Sequence, residues 1–169
     1  RVELIVDEDS VADRLTITVR DDGRGIAADV IDHVTDPFFT TRVTRKVGLG
    51  LPLLAAAAER AGGGFSIQSL ATGGTEVTAC FGYSHPDRQP LGDIAGTLLV
   101  FLMSDQAPDL RYVHRVSRSH GRSGDVAEFC FDSAEVRSEL DGVPLQHPTV
   151  VEWLAEYLAE GERTVTNEG

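Results

Sequence analysis

The chain has 169 residues, of which 41% are hydrophobic, and a formal net charge of −12 at pH 7. This length and composition predict one packed domain, or one domain with a substantial extension. The acidity disfavours a nucleic-acid partner, because phosphate backbones need a basic surface, and the longest apolar run is too short to span a membrane.

The first motif follows two predicted strands. Residues 2–6 and 14–20 favour adjacent strands, the second with alternating apolar and polar residues. Asp21 comes directly after it, and Gly23 and Gly25 follow. A carboxylate here can accept a hydrogen bond from an exocyclic amine, while the glycine backbone lets a flat ring approach closely. We call residues 21–25 the first glycine box.

A short helix is expected over residues 27–34, and the Asp36-Pro37 pair ends it. Phe38 and Phe39 come next. As large apolar side chains, they are expected to anchor the base of the following loop in the core or in the mouth of a pocket.

That loop contains the candidate phosphate ligands. Arg42 is the best of them, because its guanidinium matches phosphate oxygens in pairs. Thr41 either binds phosphate oxygens or closes a local turn. Lys46 is the only lysine of the chain. It is either a remnant of coding bias or a point-charge ligand for phosphate, and the sequence favours neither interpretation.

A second glycine motif, residues 48–51, opens the clearest helix, predicted over residues 51–61. The N–H groups of Gly48 and Gly50, together with the helix dipole, are typical of an anion site. The motifs thus place a candidate site for a nucleobase at one end, a candidate site for phosphates at the other and a basic loop between them. This order predicts a nucleotide site. We call residues 48–51 the second glycine box.

The remaining pattern predicts the fold class. Residues 65–70 and 75–81 alternate as strands around a glycine-containing turn. Helices on one face of a mixed, mostly antiparallel sheet give an α/β (α+β) two-layer sandwich.

The second half predicts a helix, a hairpin and two more helices after an irregular connector. Their expected ranges are residues 91–104, then 111–118 with 126–131, then 134–140 and 148–160. In the last helix, Trp153, Leu154, Tyr157 and Leu158 form an apolar stripe, predicted as core or as a homodimer contact. The tail from Gly161 is polar and is expected to fray.

Two cysteines, Cys80 and Cys130, lie far apart in strand-like runs. They are expected to be buried free thiols rather than a disulfide or metal site, so the cytoplasm is the expected compartment. The chain begins at Arg1 inside a predicted strand, which indicates a trimmed fragment.

The motifs together resemble one superfamily. Residues 1–83 are similar to the GHKL (Bergerat-fold) ATPases, most closely to the ATP-binding domain of sensor histidine kinases. The first glycine box, residues 36–42 (the F box), the second glycine box and the turn Gly73-Gly74-Thr75 carry this resemblance. Residues 84–169, a C-terminal extension, resemble a small group of bacterial stand-alone ATP-binding proteins without sensor or phosphoacceptor helix.

The resemblance implies a role for each motif. Asp21 would accept from the adenine amine, and Thr75 would support the adenine. The second glycine box would donate backbone N–H groups to the phosphates, with Arg42 and Lys46 closing over them. The residues expected to bind ATP are Asp21, Gly23, Gly25, Ile26, Phe38, Thr41, Arg42, Lys46, Gly48, Leu49, Gly50, Leu51 and Thr75.

The resemblance also implies Mg²⁺, whose Asn ligand is expected on a helix upstream of Arg1. None of the five histidines lies in the setting of a phosphoacceptor. We therefore expect a signal-transduction kinase that transfers phosphate from ATP to an unidentified partner protein. The alternatives are a nucleotide-gated binding module without phosphoryl transfer, and a fold relative that binds no nucleotide.

Overall fold

The computed structural model describes residues 1–31, 33–34, 49–104, 106–117 and 126–167. Within these ranges the chain forms six strands and five helices. In chain order they are β1 (Val2–Asp9), β2 (Arg14–Asp21), α1 (Ala28–Ile31), α2 (Gly50–Arg60), β3 (Gly64–Ser69), β4 (Thr75–Gly82), α3 (Ile94–Leu102), β5 (Leu110–Ser117), β6 (Val126–Asp132), α4 (Ser133–Glu139) and α5 (Pro148–Asn167).

All six strands belong to one sheet with the order β3-β4-β2-β1-β5-β6. The neighbours pair antiparallel except β1 and β5, which run parallel, with Val2 opposite Leu110. The predicted mixed, mostly antiparallel sheet is confirmed. The parallel pairing itself was not predicted, because β5 follows β1 by about a hundred residues and no local pattern links them.

One face of the sheet is apolar and carries the helices. Helix α2 packs on β3 and β4, helix α5 packs on β5 and β6, and α3 packs on α5. The buried core unites the residues Val6, Leu15, Ala58, Ala79, Phe81, Leu98, Leu102, Tyr112, Phe131, Leu154 and Leu158. This arrangement is the two-layer sandwich that the sequence predicted.

The other face of the sheet is polar, as alternation requires. Arg20 of β2 pairs with Glu76 of β4 and, at 3.3 Å, with Glu3 of β1. Glu3 also accepts from Arg111 of β5 at 2.7 Å. These ion pairs link four neighbouring strands, β4, β2, β1 and β5.

Helix α5 is longer than the sequence predicted. The predicted fraying from Gly161 is wrong, since the helix continues to Asn167 and Val165 is buried. A Cβ on Gly161 would overlap the ring of Phe129, so the glycine lets the helix lie close to β6. The second half of α5 is thereby part of the packed structure.

The predicted apolar stripe of α5 belongs to the core only in part. Leu154 and Leu158 are core residues, whereas Trp153 and Tyr157 remain 46% and 41% exposed.

The expectation of buried thiols is wrong for Cys130, which is exposed on the polar face of β6, and Cys80 is half-buried.

The regions predicted as an ATPase domain, residues 1–83, and an extension, residues 84–169, contribute strands to the same sheet. Their separation into two folding units stays a prediction. Among the described residues, no helix has both the length and the apolar composition that crossing a bilayer requires. The cytoplasmic location also stays a prediction.

Candidate functional site

The first glycine box lies at the end of β2. Asp21 is the last residue of that strand and pairs with Val2 of β1. Its Oδ1 accepts a hydrogen bond from the backbone N–H of Gly23 at 2.8 Å, closing an Asx-type turn. Among the described residues Oδ2 has no hydrogen-bond partner. The chain therefore fixes one carboxylate oxygen of Asp21.

The chain's own contacts also require glycine at two positions of this box. A Cβ on Gly23 would stand 2.7 Å from Oδ1 of Asp21, which would displace the carboxylate. Gly25 has φ +73°, and a Cβ there would meet the carbonyl oxygen of Gly74 at 3.1 Å. Gly23 thus leaves room for the carboxylate of Asp21, and Gly25 leaves room for the backbone of Gly74.

The turn between β3 and β4 packs directly against this box. Gly74 adopts φ +89°, and a Cβ on it would overlap the carbonyl oxygen of Asp21. Leu70 donates its N–H to Gly74 at 3.0 Å, which closes the turn, and Thr75 follows it with 8% exposure. The structure therefore brings Thr75 close to Asp21, Gly23 and Gly25, from which it is far away in sequence.

A tether from β3 holds the box in place. The hydroxyl of Ser69 donates to the carbonyl oxygen of Ile26 at 2.6 Å and accepts from the N–H of Ile26 at 2.9 Å. Sequence reasoning included Ile26 but missed Ser69. A serine at the end of a strand carries no distinguishing local signal, and its partner is 43 residues away.

Replacing Ser69 by alanine is expected to weaken the ATP binding that the sequence predicts about three- to tenfold, because the loop after Asp21 loses both bonds of its tether. The temperature of unfolding should change little, since Ser69 is exposed. Titration calorimetry measures the affinity. Ser66→Ala, at an exposed position of the same strand, is the matched control, and equal affinity of both variants would contradict the role of Ser69.

The arginine before Asp21 fixes the end of β2 on the opposite face. Arg20 is held by Glu76, whose other carboxylate oxygen accepts from Gln68 at 2.7 Å. The hydrogen bond from Arg20, and then that from Gln68, lower the pKa of Glu76. Strands β2, β3 and β4 are thus joined directly beside the site.

The second glycine box is described from Leu49 onward. Leu49 is the N-cap of α2, and its side chain has no acceptor for the first N–H groups of the helix. No acidic residue lies in the first turn, and a Cβ on Gly50 would meet no described atom within 4 Å. A helix start whose N-cap side chain leaves the first N–H groups uncapped fits an anion such as a phosphate group.

Five of the predicted ATP-binding residues lie outside the described residues. They are Phe38, Thr41, Arg42, Lys46 and Gly48. The part of the chain that the structure describes contains no group of three metal-binding side chains.

Comparison with known proteins places this site in context. A family model described as "Histidine kinase-, DNA gyrase B-, and HSP90-like ATPase" matches residues 1–84. The matched region contains both glycine boxes and the turn that packs against the first.

Individual relatives agree with that match. "Sensor histidine kinase ZraS" of Salmonella typhimurium is 37% identical over 71 residues, which cover 42% of this chain and 15% of that protein. "Sensor kinase CckA" of Brucella abortus is 27% identical over 146 residues, covering 78% of this chain and 15% of that protein. "C4-dicarboxylate transport sensor protein DctB" of Pseudomonas aeruginosa is 38% identical over 64 residues, which cover 37% of this chain and 10% of that protein. The chain therefore spans only a small part of the length of these relatives.

Proposed function

Because residues 1–84 belong to the family of histidine kinase-, DNA gyrase B- and HSP90-like ATPases, we propose that the chain binds ATP as part of a kinase that transfers the γ-phosphoryl group to a partner protein. The observation that carries this proposal is the position of the Asp21 carboxylate. The N–H of Gly23 holds this carboxylate, and the β3–β4 turn packs against the backbone of Asp21 at Gly74. The similarity to sensor kinases supports the finer assignment to phosphoryl transfer.

The adenine end of the site is proposed at the first glycine box. Oδ2 of Asp21 accepts from the exocyclic amine of adenine, while Oδ1 stays bonded to Gly23. Gly25 and Ile26 border the ring from the tethered loop, and Thr75 supports it from β4. The tether from Ser69 keeps this loop in position before ATP arrives, so less conformational entropy is lost on binding.

The phosphate end is proposed at the N-terminus of α2. Backbone N–H groups of the second glycine box, Gly48, Leu49, Gly50 and Leu51, donate to the phosphate oxygens, and the helix dipole adds to their attraction. The loop before them contributes Arg42, Lys46 and Thr41 as phosphate ligands, with Phe38 as its apolar anchor.

Catalysis in this proposal consists of positioning and charge neutralisation rather than covalent chemistry. The chain's residues orient ATP and hold its phosphates, and the acceptor comes from another protein. Mg²⁺ would neutralise phosphate charge when bound, with its Asn ligand expected upstream of Arg1.

Replacing Asp21 by asparagine is expected to weaken ATP binding by about 1.5–3 kcal/mol, because the carboxylate acceptor for the adenine amine is lost. Titration calorimetry on the complete protein measures this change. Asp22→Asn is the matched control, because Asp22 is exposed. This substitution removes the same charge at the next position. If both variants bind ATP as tightly as the unchanged protein, the assignment of Asp21 is wrong.

Phosphoryl transfer itself is tested with γ-labelled ATP, the full-length protein and candidate partner proteins. We expect label on a partner, and loss of that label when the kinase carries Asp21→Asn. Calorimetry that finds ATP bound, together with no label on any protein, would contradict transfer and leave the nucleotide-gated binding module as the function.

A further inference from the structure

The outer side of α5 exposes two stacked aromatic rings. Trp153 and Tyr157 lie one helical turn apart, with ring centroids 5.2 Å apart and planes inclined by 18°. Nearly half of each side chain is exposed. Large aromatic side chains in this state are typical of recognition surfaces, because they offer contact area with few rotatable bonds.

The pair is held rigid by the sheet. The ring of Tyr157 contacts those of Phe129 at 5.7 Å and Phe131 at 6.4 Å, both on β6. Strand β6 is the last strand of the sheet, so one side of its backbone has no strand partner within the described ranges. An extended segment of another protein can lie along such an edge and reach the rings.

Charge indicates which segment fits. Glu152 and Glu156 flank the rings on the exposed side of α5, and neither forms an ion pair among the described residues, whereas Glu160 is paired with Arg163 at 2.5 Å. Aromatic faces attract cations, and guanidinium groups stack on them particularly well. A second copy of the chain would instead bring like charges together, on molecules that each carry a net charge of −12.

We propose that the surface formed by Trp153, Tyr157, Glu152 and Glu156 beside the open edge of β6 binds an extended, arginine- or lysine-containing segment of a partner protein. The cationic side chains lie over the two rings and pair with the flanking carboxylates. This binding involves α5 and β6 alone and takes place without nucleotide, so it stands apart from the proposed phosphoryl transfer.

The test uses a fluorescein-labelled peptide of about 12 residues in which arginine alternates with threonine, a length that spans an edge strand. It is added to the full chain at physiological ionic strength without ATP. Since Trp153 is the only tryptophan, its emission reports binding at this surface directly. We expect a saturable change in that emission and a matching rise in peptide anisotropy. A control peptide in which glutamate alternates with threonine should produce neither.

Two double variants test the residues. Trp153→Ala/Tyr157→Ala removes the rings, and Glu152→Gln/Glu156→Gln removes the charges without disturbing the packing. Each is expected to weaken peptide binding about tenfold. The matched control is Glu59→Gln/Asp87→Asn, which removes two exposed charges outside α5 and β6 and should bind like the unchanged protein.

Three results would overturn the proposal. Equal weakening by the control would show general attraction to an acidic protein. Unchanged emission of Trp153 at saturation would place the peptide elsewhere. Sedimentation that finds a dimer of the unchanged chain, dissociated by Trp153→Ala/Tyr157→Ala, would make a second copy the occupant.

Discussion

Replacing His114 by alanine is expected to lower the free energy of unfolding by about 3–5 kcal/mol. The imidazole is fully buried on β5. Its Nε2 lies 3.0 Å from Oε1 of Glu8, and its Nδ1 lies 3.1 Å from Oε2 of Glu162. Without the ring, two largely buried carboxylates from β1 and α5 would remain without their cation.

The groups around the ring determine its charge. Burial disfavours the charged form, but hydrogen bonds and charge from Glu162 and Glu8 outweigh it and raise the pKa of His114 to about 9. The third neighbour is Tyr112, whose hydroxyl donates to Glu162 at 2.8 Å. Burial, and then the charge of Glu162, raise the pKa of Tyr112, so this hydroxyl stays a donor.

The stability of the protein should therefore depend on pH. Because the pKa of His114 is higher in the folded chain than its ordinary value of 6.5, its contribution is complete below pH 6.5 and is lost as the pH rises through about 9. Urea denaturation across this range should show a falling free energy of unfolding. Glu8→Gln/Glu162→Gln removes the carboxylates that raise the pKa and should abolish that fall.

The control for the alanine variant is His147→Ala, at an exposed histidine just before α5. Its free energy of unfolding should stay close to that of the unchanged protein. A loss for His114→Ala no larger than for His147→Ala, or stability that is flat between pH 6.5 and 9, would contradict the role given to this network.

Replacing Gly74 by alanine is expected to cost about 3–4 kcal/mol of stability and most of the ATP affinity. Two effects combine, since the residue has φ +89° and its new Cβ would overlap the carbonyl oxygen of Asp21. Relief of that overlap requires the first glycine box and the β3–β4 turn to separate. Denaturation and calorimetry measure the two losses.

Gly142→Ala separates these effects. Gly142 has a nearly identical φ of +90°, but a Cβ there meets nothing within 4 Å. Its replacement should cost only about 1–2 kcal/mol, the strain of a left-handed backbone, and leave ATP affinity unchanged. If the two variants are equally stable, the contact between Gly74 and Asp21 has no importance for the fold.

Much of this fold was predictable from sequence. Strand β2 alternates along its own length, and the alanine run of α2 favours a helix whatever surrounds it. The first glycine box was found for the same reason, since a carboxylate and two glycines within five residues form a local pattern. Its detailed interpretation was incomplete, because Gly23 and Gly25 also face the protein's own atoms.

The local elements, the two-layer class and the motifs expected of a nucleotide site follow from the amino-acid sequence, because each depends on residues that are close in the chain. Three features appear only in the folded chain: β5 joins β1 in parallel, Ser69 tethers Ile26, and His114 lies between Glu8 and Glu162. These contacts join residues 43 to 108 positions apart. Each side chain acquires its role from burial and from a partner supplied by another element, and no spacing along the chain encodes either.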